Sequence, residues 1–502
     1  MVDEREHKSL WTMTASQPRY PALPGDMDVD VVVVGGGIAG LTTAYLLKQE
    51  GKRVAVVEMH RLLSGQTGQT TAHLTELLDT PYETLQSDFG QKGARLAAAS
   101  VRASIEKMAS LVEGLGIECG FVRVPGYRYA QTEDEVRQLE REASVAREVG
   151  LLCSLTDEVP LPLTVKRALR VEDQAQYHPR EYLRAIAERI PGDGCHLFED
   201  TQVTDIQDGA PCRVTTTRGV ITCRDVVEAT TTPLNRVLLH TKLSAYRTYA
   251  LAARLTSPVT PGLYFDSQDP YHYIRTQRVE GHDYLIVGGE DHKVGTEDDT
   301  PGCFRELEKY TRDHFPVGEV SYRWSGQVIE PVDGLPYIGR NGLSRHVWVA
   351  TGFSGTGLTF GTLSGMILTD SLLGRQNPYA ELYDATRVKP AAGAKDFVQE
   401  NAEVAFHFVA DRLAKPEASD LSEVPPGEGR ILELEGQKVA VYKEEGGAVH
   451  AVSPVCTHLG CHVHWNKAER SWDCPCHGGR FAPTGEVLNG PPVKGLASKK
   501  IR

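Results

Sequence analysis

Asp28-Val29-Asp30-Val31-Val32-Val33-Val34-Gly35-Gly36-Gly37-Ile38-Ala39-Gly40 begins as a β-branched run and ends on glycines. The valines read as a strand buried on both faces, since a half-solvated strand would alternate apolar and polar residues. Leu41 to Glu50 then carries helical spacing, and Arg53-Val54-Ala55-Val56-Val57-Glu58 is a second strand, so the stretch is a βαβ unit. Gly35, Gly37 and Gly40 fit G-x-G-x-x-G at its turn, with Ile38 and Ala39 between them. Glycines there let the chain turn tightly and bring N–H groups to a pyrophosphate at the positive end of the helix. Glu58 stands 18 residues after Gly40 at the end of the second strand, placed to accept hydrogen bonds from a ribose. Motif, strand, helix and acid in register point to a dinucleotide site.

The rest of the composition bounds what such a site can belong to. A chain of 502 residues carries a length prior of about three domains. Apolar residues at 40% and charged residues at 24% exclude a mostly disordered chain, a fibre or a coiled-coil rod. The net charge of -13 argues against nucleic acid or an anionic membrane as partner, because both attract a basic face. No apolar run approaches the roughly 18 residues of a membrane span, so no integral membrane segment is expected. The charged start, Met1-Val2-Asp3-Glu4-Arg5-Glu6-His7-Lys8, lacks the apolar core of a secretory signal, and a cytoplasmic location is expected. Cysteine use is uneven. Cys119, Cys153, Cys195, Cys212, Cys223 and Cys303 are scattered and read as small buried hydrophobes, whereas Cys456, Cys461, Cys474 and Cys476 crowd into 21 residues.

Along the chain, residues 1–28 are polar and proline-dotted, an extended lead-in. Helical stretches (91–116, 131–149, 180–190) alternate with strands (213–217, 219–223, 284–289), giving an α/β domain with an interleaved, mainly antiparallel second lobe. Residues 378–395 are loop-like, and 395–414 form a helix with Phe397, Val404, Ala405, Phe408 and Val409 along one face. Linker composition follows over 415–429, then short β runs at 431–434, 438–442 and 448–452. The expected organisation is a lead-in (1–28), a two-lobed domain (29–395), a helix and linker (396–427) and an all-β module (428–502).

Which dinucleotide binds is decided outside the first motif. Ser64-Gly65-Gln66-Thr67-Gly68-Gln69-Thr70-Thr71-Ala72-His73-Leu74 follows Glu58 and Arg61, and Asp333-Gly334-Leu335-Pro336 comes late. Gly352-Phe353-Ser354-Gly355-Thr356-Gly357-Leu358 then opens a helix of small residues, whose N–H groups can cradle a flavin edge. Taken singly, each glycine loop also reads as a plain turn. With Val226-Val227-Glu228-Ala229-Thr230 added, the set resembles the FAD-dependent D-amino-acid oxidase and glycine oxidase superfamily over about residues 28–375. The resemblance implies a Rossmann-like FAD domain with an antiparallel substrate lobe, and hydride removal from a carbon bearing an amine. The FAD contacts it implies are Gly35, Gly37, Ile38, Ala39, Gly40, Glu58, Arg61, Thr70 and Thr71, then Ala229, Thr230, Gly352, Gly355, Thr356, Gly357 and Leu358.

On the substrate side, Tyr271-His272-Tyr273-Ile274-Arg275 resembles the strand from which family members present an aromatic and an arginine to a substrate carboxylate. Arg275 is then a bidentate clamp, or else a member of a surface ion pair. His292, in Asp291-His292-Lys293, faces the flavin or lies in a solvated loop. His73 is a candidate for covalent flavin attachment. Ile286 stands where some oxidases of the superfamily place an oxygen-activating lysine, which favours a dehydrogenase.

The cysteine cluster reads C-x-H, 15 residues, then C-x-x-H: Cys456-Thr457-His458 and Cys474-Pro475-Cys476-His477. Two thiolates for one iron and two neutral imidazoles for the other suit a [2Fe–2S] cluster of mixed ligation. Zinc uses the same residue types, but C-x-H is tighter than its usual knuckle. Over roughly 428–502 the pattern resembles the Rieske domain, which implies Cys456, His458, Cys474 and His477 as ligands. It also implies Cys461 and Cys476 as a disulfide between the loops, with reduced thiols as the cytosolic alternative. Gly479 and Phe481 replace a serine and a tyrosine that donate hydrogen bonds to cluster sulfurs in respiratory Rieske proteins. Their loss is expected to lower the potential towards the bottom of the roughly -150 to +300 mV Rieske range.

The expected function is FAD-dependent dehydrogenation of an amine or amino acid. Electrons pass singly to the cluster and on to an external carrier such as a ferredoxin or quinone. Two alternatives stand beside it. The cluster could feed electrons inward for a reductive or oxygenating reaction, or the chain could be a non-catalytic electron carrier or redox sensor.

Overall fold

The computed structural model describes residues 7–234, 237–389 and 394–500, with the side chains of 237, 238, 394–399 and 409 outside that description. The quoted valines, Val31–Val34, are buried on both faces at the centre of a six-stranded sheet. Val54–Val57 pairs with them in parallel on one side and Asp225–Glu228 on the other. His196–Phe198 and Val347–Thr351 extend the sheet, and Tyr337–Arg340 closes one edge antiparallel. Each fully buried valine contributes roughly 1.5–3 kcal/mol, so an unbroken apolar run suits a strand covered above and below.

Helix Ile38–Gln49 covers one face and meets the late small-residue helix Gly357–Leu372. Gly361 and Gly365 let the two come close, since a Cβ there would lie 2.5 Å from Ile38 and 2.6 Å from Thr42. This crossing brings the first and last glycine motifs of the flavin domain to one side of the sheet.

The second lobe is a nine-stranded, mainly antiparallel sheet. Its long strands are Leu243–Leu255, His282–Lys293 and Val317–Pro331, and Tyr273–Val279 lies beside the second of these. The C-terminal module is a three-stranded and a four-stranded antiparallel sheet. Its own core includes Trp465, Trp472, Phe481 and all four clustered cysteines. The mixed α/β fold with an antiparallel lobe and an all-β module is therefore as the sequence implied. No helix among the described residues is long and apolar enough to cross a membrane.

Three local expectations need correction. The lead-in is not wholly extended: Leu10–Thr14 is a helix capped by Ser9, because Leu10 and Trp11 bury themselves completely in the flavin domain. Residues 415–429 do not behave as a free linker. Ala418 bridges to Leu432, and Val424, 1% exposed, packs in the module's second core. The expected apolar face of the helix Ala394–Leu413 is only partly used: Val404 packs on the module, whereas Ala405 and Phe408 are exposed. Of the other two residues expected on that face, the side chains of Phe397 and Val409 lie outside those described.

Candidate functional site

A cavity of about 370 Å³ runs from the Gly35–Ala39 turn, past Gly352–Leu358, to the antiparallel lobe. Gly35 has φ +109°, and a Cβ on it would lie 2.4 Å from the Ala229 carbonyl. Gly40 does not line the cavity. It packs against Gly35, where a Cβ would lie 2.0 Å from that residue's carbonyl. Glu58 ties the turn to the second strand, its carboxylate accepting from Gly36 N–H at 2.8 Å and His60 N–H at 3.0 Å. Burial raises its pKa.

The walls fit FAD. The helix N-cap, Gly37, has no side chain to fill the turn, although Thr67 Oγ1 accepts from Ile38 N–H at 3.1 Å, and Gln69 Oε1 is a buried acceptor without a protein partner beside it. Gly37, Ile38, Thr70, Thr71, Thr230 and the Gly352–Leu358 loop all line the same space. Arg61 does not. Its guanidinium pairs with buried Glu199 at 2.6 Å and donates to the Pro18 carbonyl.

The substrate-side expectations divide. Tyr273 lines the cavity with Tyr271, Phe265 and His73, and its hydroxyl meets Thr248 Oγ1 at 2.6 Å. His73 is held by Thr71 Oγ1 and the Ile274 carbonyl, and burial pushes its pKa down to about 3, so it is neutral. Arg275 is no carboxylate clamp. It is fully buried, donates to the Thr71 and Ala72 carbonyls and to Gln277, and lies over the Trp11 ring. His292 also stays out of the cavity, held by Tyr249 Oη at 3.0 Å and the Lys293 carbonyl at 2.8 Å. Arg275 shares a strand face with Tyr273, but its guanidinium turns back to the Thr71 and Ala72 carbonyls instead of entering the cavity.

Asp79, Arg247 and Glu469 were not legible as site residues. Asp79 lines the cavity and accepts from Gly355 N–H at 2.5 Å. Glu469 belongs to the C-terminal module, yet it reaches the same cavity and pairs with Arg247 of the antiparallel lobe at 2.8 Å. Burial would raise its carboxyl, but Arg247, with His7 and Arg480, outweighs that and holds it far below the usual range. No local pattern marks these three, because their meaning comes from partners far away in sequence.

The cluster residues come together on two loops of the module. Cys456 and Cys474 share a hydrogen bond between their sulfurs, which pulls the Cys456 thiol down. The His458 and His477 rings stand 5.0 Å apart at 90°. Burial, together with neighbouring imidazoles, lowers His458 to about 3, and its Nδ1 is a buried atom without a partner. Burial likewise brings His477 to about 4. Two half-buried neutral imidazoles, one with an orphaned nitrogen, beside two buried thiols fit a [2Fe–2S] cluster. Cys461 and Cys476 are joined as a disulfide.

Two contacts connect these loops to the cavity. Gln327, which lines the cavity, donates from Nε2 to the carbonyl of Gly478, next to His477. His240, buried in the flavin domain, lies 4.7 Å ring to ring from His458 and bonds the Pro233 carbonyl, beside the cavity residues Thr231 and Leu234. Gly478 makes this approach possible: at φ +70°, a Cβ on it would lie 2.3 Å from Ala245.

Comparison with known proteins agrees with this geometry. The family profile for FAD dependent oxidoreductase matches residues 30–371, and that for the Rieske [2Fe-2S] domain matches residues 415–500. The Bacillus subtilis (strain 168) protein YhfW, described as a Rieske 2Fe-2S iron-sulfur protein, is 32% identical over 493 residues, 97% of each chain. Gamma-glutamylputrescine oxidoreductase of Escherichia coli K12 is 23% identical, over 76% of this chain and 91% of its own. The crystal structure of glycine oxidase from Geobacillus kaustophilus superposes with a TM-score of 0.63 at 22% identity, covering 72% of this chain and 99% of its own.

Proposed function

The chain belongs to the FAD-dependent oxidoreductase family and carries a Rieske [2Fe–2S] domain, and from that premise we propose that it dehydrogenates an amine or amino acid and delivers the electrons singly to an external carrier. The observation that carries this reading is the shared wall: Glu469 and Arg480 of the module line the cavity expected to hold the flavin. When bound, FAD supplies a two-electron acceptor and the cluster a one-electron carrier.

The chain's own residues do the rest. Phe265, Tyr271 and Tyr273, with neutral His73, give the lobe end of the cavity an aromatic lining suited to an amine's carbon skeleton. Asp79 supplies a carboxylate on the same cavity, where it can hold an ammonium or take its proton. With Arg275 committed to backbone carbonyls, carboxylate recognition is not the dominant feature, so amines are the favoured donors. Gln327 and His240 hold the cluster loops against the cavity wall.

The test is anaerobic mixing of the holoprotein with a panel of amines and amino acids while flavin and cluster absorbance are followed. Reduction of both by one donor class is expected. If no donor bleaches the flavin, while a ferredoxin or nicotinamide system reduces the cluster first, electron flow runs inward and the proposal fails.

A further inference from the structure

Outside the cluster set, three side chains converge where the helix Ala394–Leu413 meets the module. His407 and Asp411 lie one turn apart on that helix and so share a face. His464 comes from the module strand His464–Asn466. Asp411 Oδ2 stands 3.3 Å from His407 Nδ1 and 3.1 Å from His464 Nε2. One ligand atom from each of the three lies within 4.8 Å of the others. All three are partly exposed, so the group is open to ions from solvent.

The outer contact of His464 orients its ring towards this group. Its Nδ1 lies 2.7 Å from the Gly295 carbonyl, which can only accept, so Nδ1 carries the ring proton. Nε2 is left facing the Asp411 carboxylate, either as an N–H of the imidazolium or as a lone pair that can bind a metal ion together with the carboxylate oxygen, so a proton and a metal ion compete for this contact. Two nearby cationic side chains are used elsewhere. Lys438 Nζ donates to the backbone carbonyls of Asp411 and Arg412, and Arg412 donates to the Phe408 and Gly460 carbonyls.

Metal coordination fits both the distances and the outer contact. Bonds of about 2.0–2.2 Å at tetrahedral angles hold ligand atoms roughly 3.3–3.5 Å apart, close to the two separations from Asp411 Oδ2, with the two imidazole nitrogens within 4.8 Å of each other. An imidazole that binds a metal through one nitrogen usually donates its other N–H to a carbonyl or carboxylate, as His464 does to Gly295. We propose that His407, Asp411 and His464 form a three-ligand site for a divalent transition ion of the zinc type, separate from the iron cluster, with the fourth position open to water. Such an ion would join the helix to the module. Through His464 it would also brace the Gly295 loop of the flavin domain, where a Cβ would lie 3.0 Å from the backbone nitrogen of Pro475 in the cluster loop.

The experiment uses the holoprotein, rinsed with a chelator and re-equilibrated with Zn²⁺ against a competing chromophoric chelator, with zinc and iron counted together. One zinc per chain beyond the iron is expected. Asp411→Asn and His464→Gln should each weaken zinc binding by at least about 100-fold, since loss of an outer partner alone costs 10–100-fold. His450→Ala, which removes a surface histidine paired with Glu444, should leave binding unchanged. Absence of saturable zinc binding overturns the proposal, as does binding that survives both ligand variants. Zinc-edge X-ray absorption of the wild-type protein gives an independent reading should those variants fail to fold. Nitrogen and oxygen neighbours alone support the site, whereas sulfur neighbours would put zinc in the cluster cysteines and overturn it.

Discussion

At the scale of single residues, Gly35 shows how closely the cavity is built. A side chain there would meet the Ala229 carbonyl at 2.4 Å, at a φ of +109° that costs an L-residue about 1–2 kcal/mol by itself. Gly35→Ala is expected to distort the turn that receives the pyrophosphate and to lower FAD affinity at least about tenfold. The flavin-to-protein ratio of the purified variant checks this, and full flavin content would contradict it. The motif at Gly35 was legible because its chemistry is local. The role of Arg275 was not: a buried arginine over Trp11 reads in sequence like one aimed at a substrate, and only its carbonyl partners distinguish the two.

At the scale of elements, the loop 266–272 joins the strands Leu263–Phe265 and Tyr273–Val279 and positions Tyr271 and Tyr273 at the cavity. His272 ties it down. Its ring stacks on Tyr310 at 3.6 Å, and its Nδ1 bonds Asp266 at 2.8 Å, with Glu290 beyond. Burial would lower the imidazole pKa, but Asp266 and Glu290 outweigh it and raise it to about 9. Because the folded value lies above the unfolded one of about 6.5, this stabilisation is fully present below pH ~6.5 and is lost as pH rises through about 9. Denaturant melts from pH 6 to 10 should show a loss of up to about 3 kcal/mol in that window, and His272→Phe should flatten it. An unchanged slope in the variant would remove His272 as the cause.

At the scale of the whole molecule, the module is a wall of the flavin cavity as well as a separate cofactor carrier. Arg247, 3% exposed, is balanced by Glu469 from the other domain. Glu469→Gln leaves that guanidinium buried without its counter-charge and is expected to cost about 3 kcal/mol of stability. If electrons pass as proposed, it should also slow flavin-to-cluster transfer, measured by stopped-flow reduction, while the iron content stays the same. The Glu469 carboxyl is held below its unfolded value, so its contribution is present above about pH 4.3 and is lost as pH falls further. Melts at low pH should therefore converge for wild type and Glu469→Gln.

The sequence by itself determined the βαβ unit and the pairing of two cofactor motifs, and it singled out the four cysteine and histidine residues that the two loops of the module bring together. Each of these is written in short-range spacing: period-two or unbroken apolar runs, glycines at fixed offsets, a cysteine two residues from a histidine. Burial of Trp11, the fixing of 415–429 onto the module, and the meeting of His407 and Asp411 with His464 were decided only in three dimensions. So was the junction of cluster and flavin cavity through Gln327, His240 and Glu469. The physical reason is common to all of them. A side chain's partner sets whether it is a ligand, a strut or a counter-charge, and for these residues that partner lies tens to hundreds of positions away.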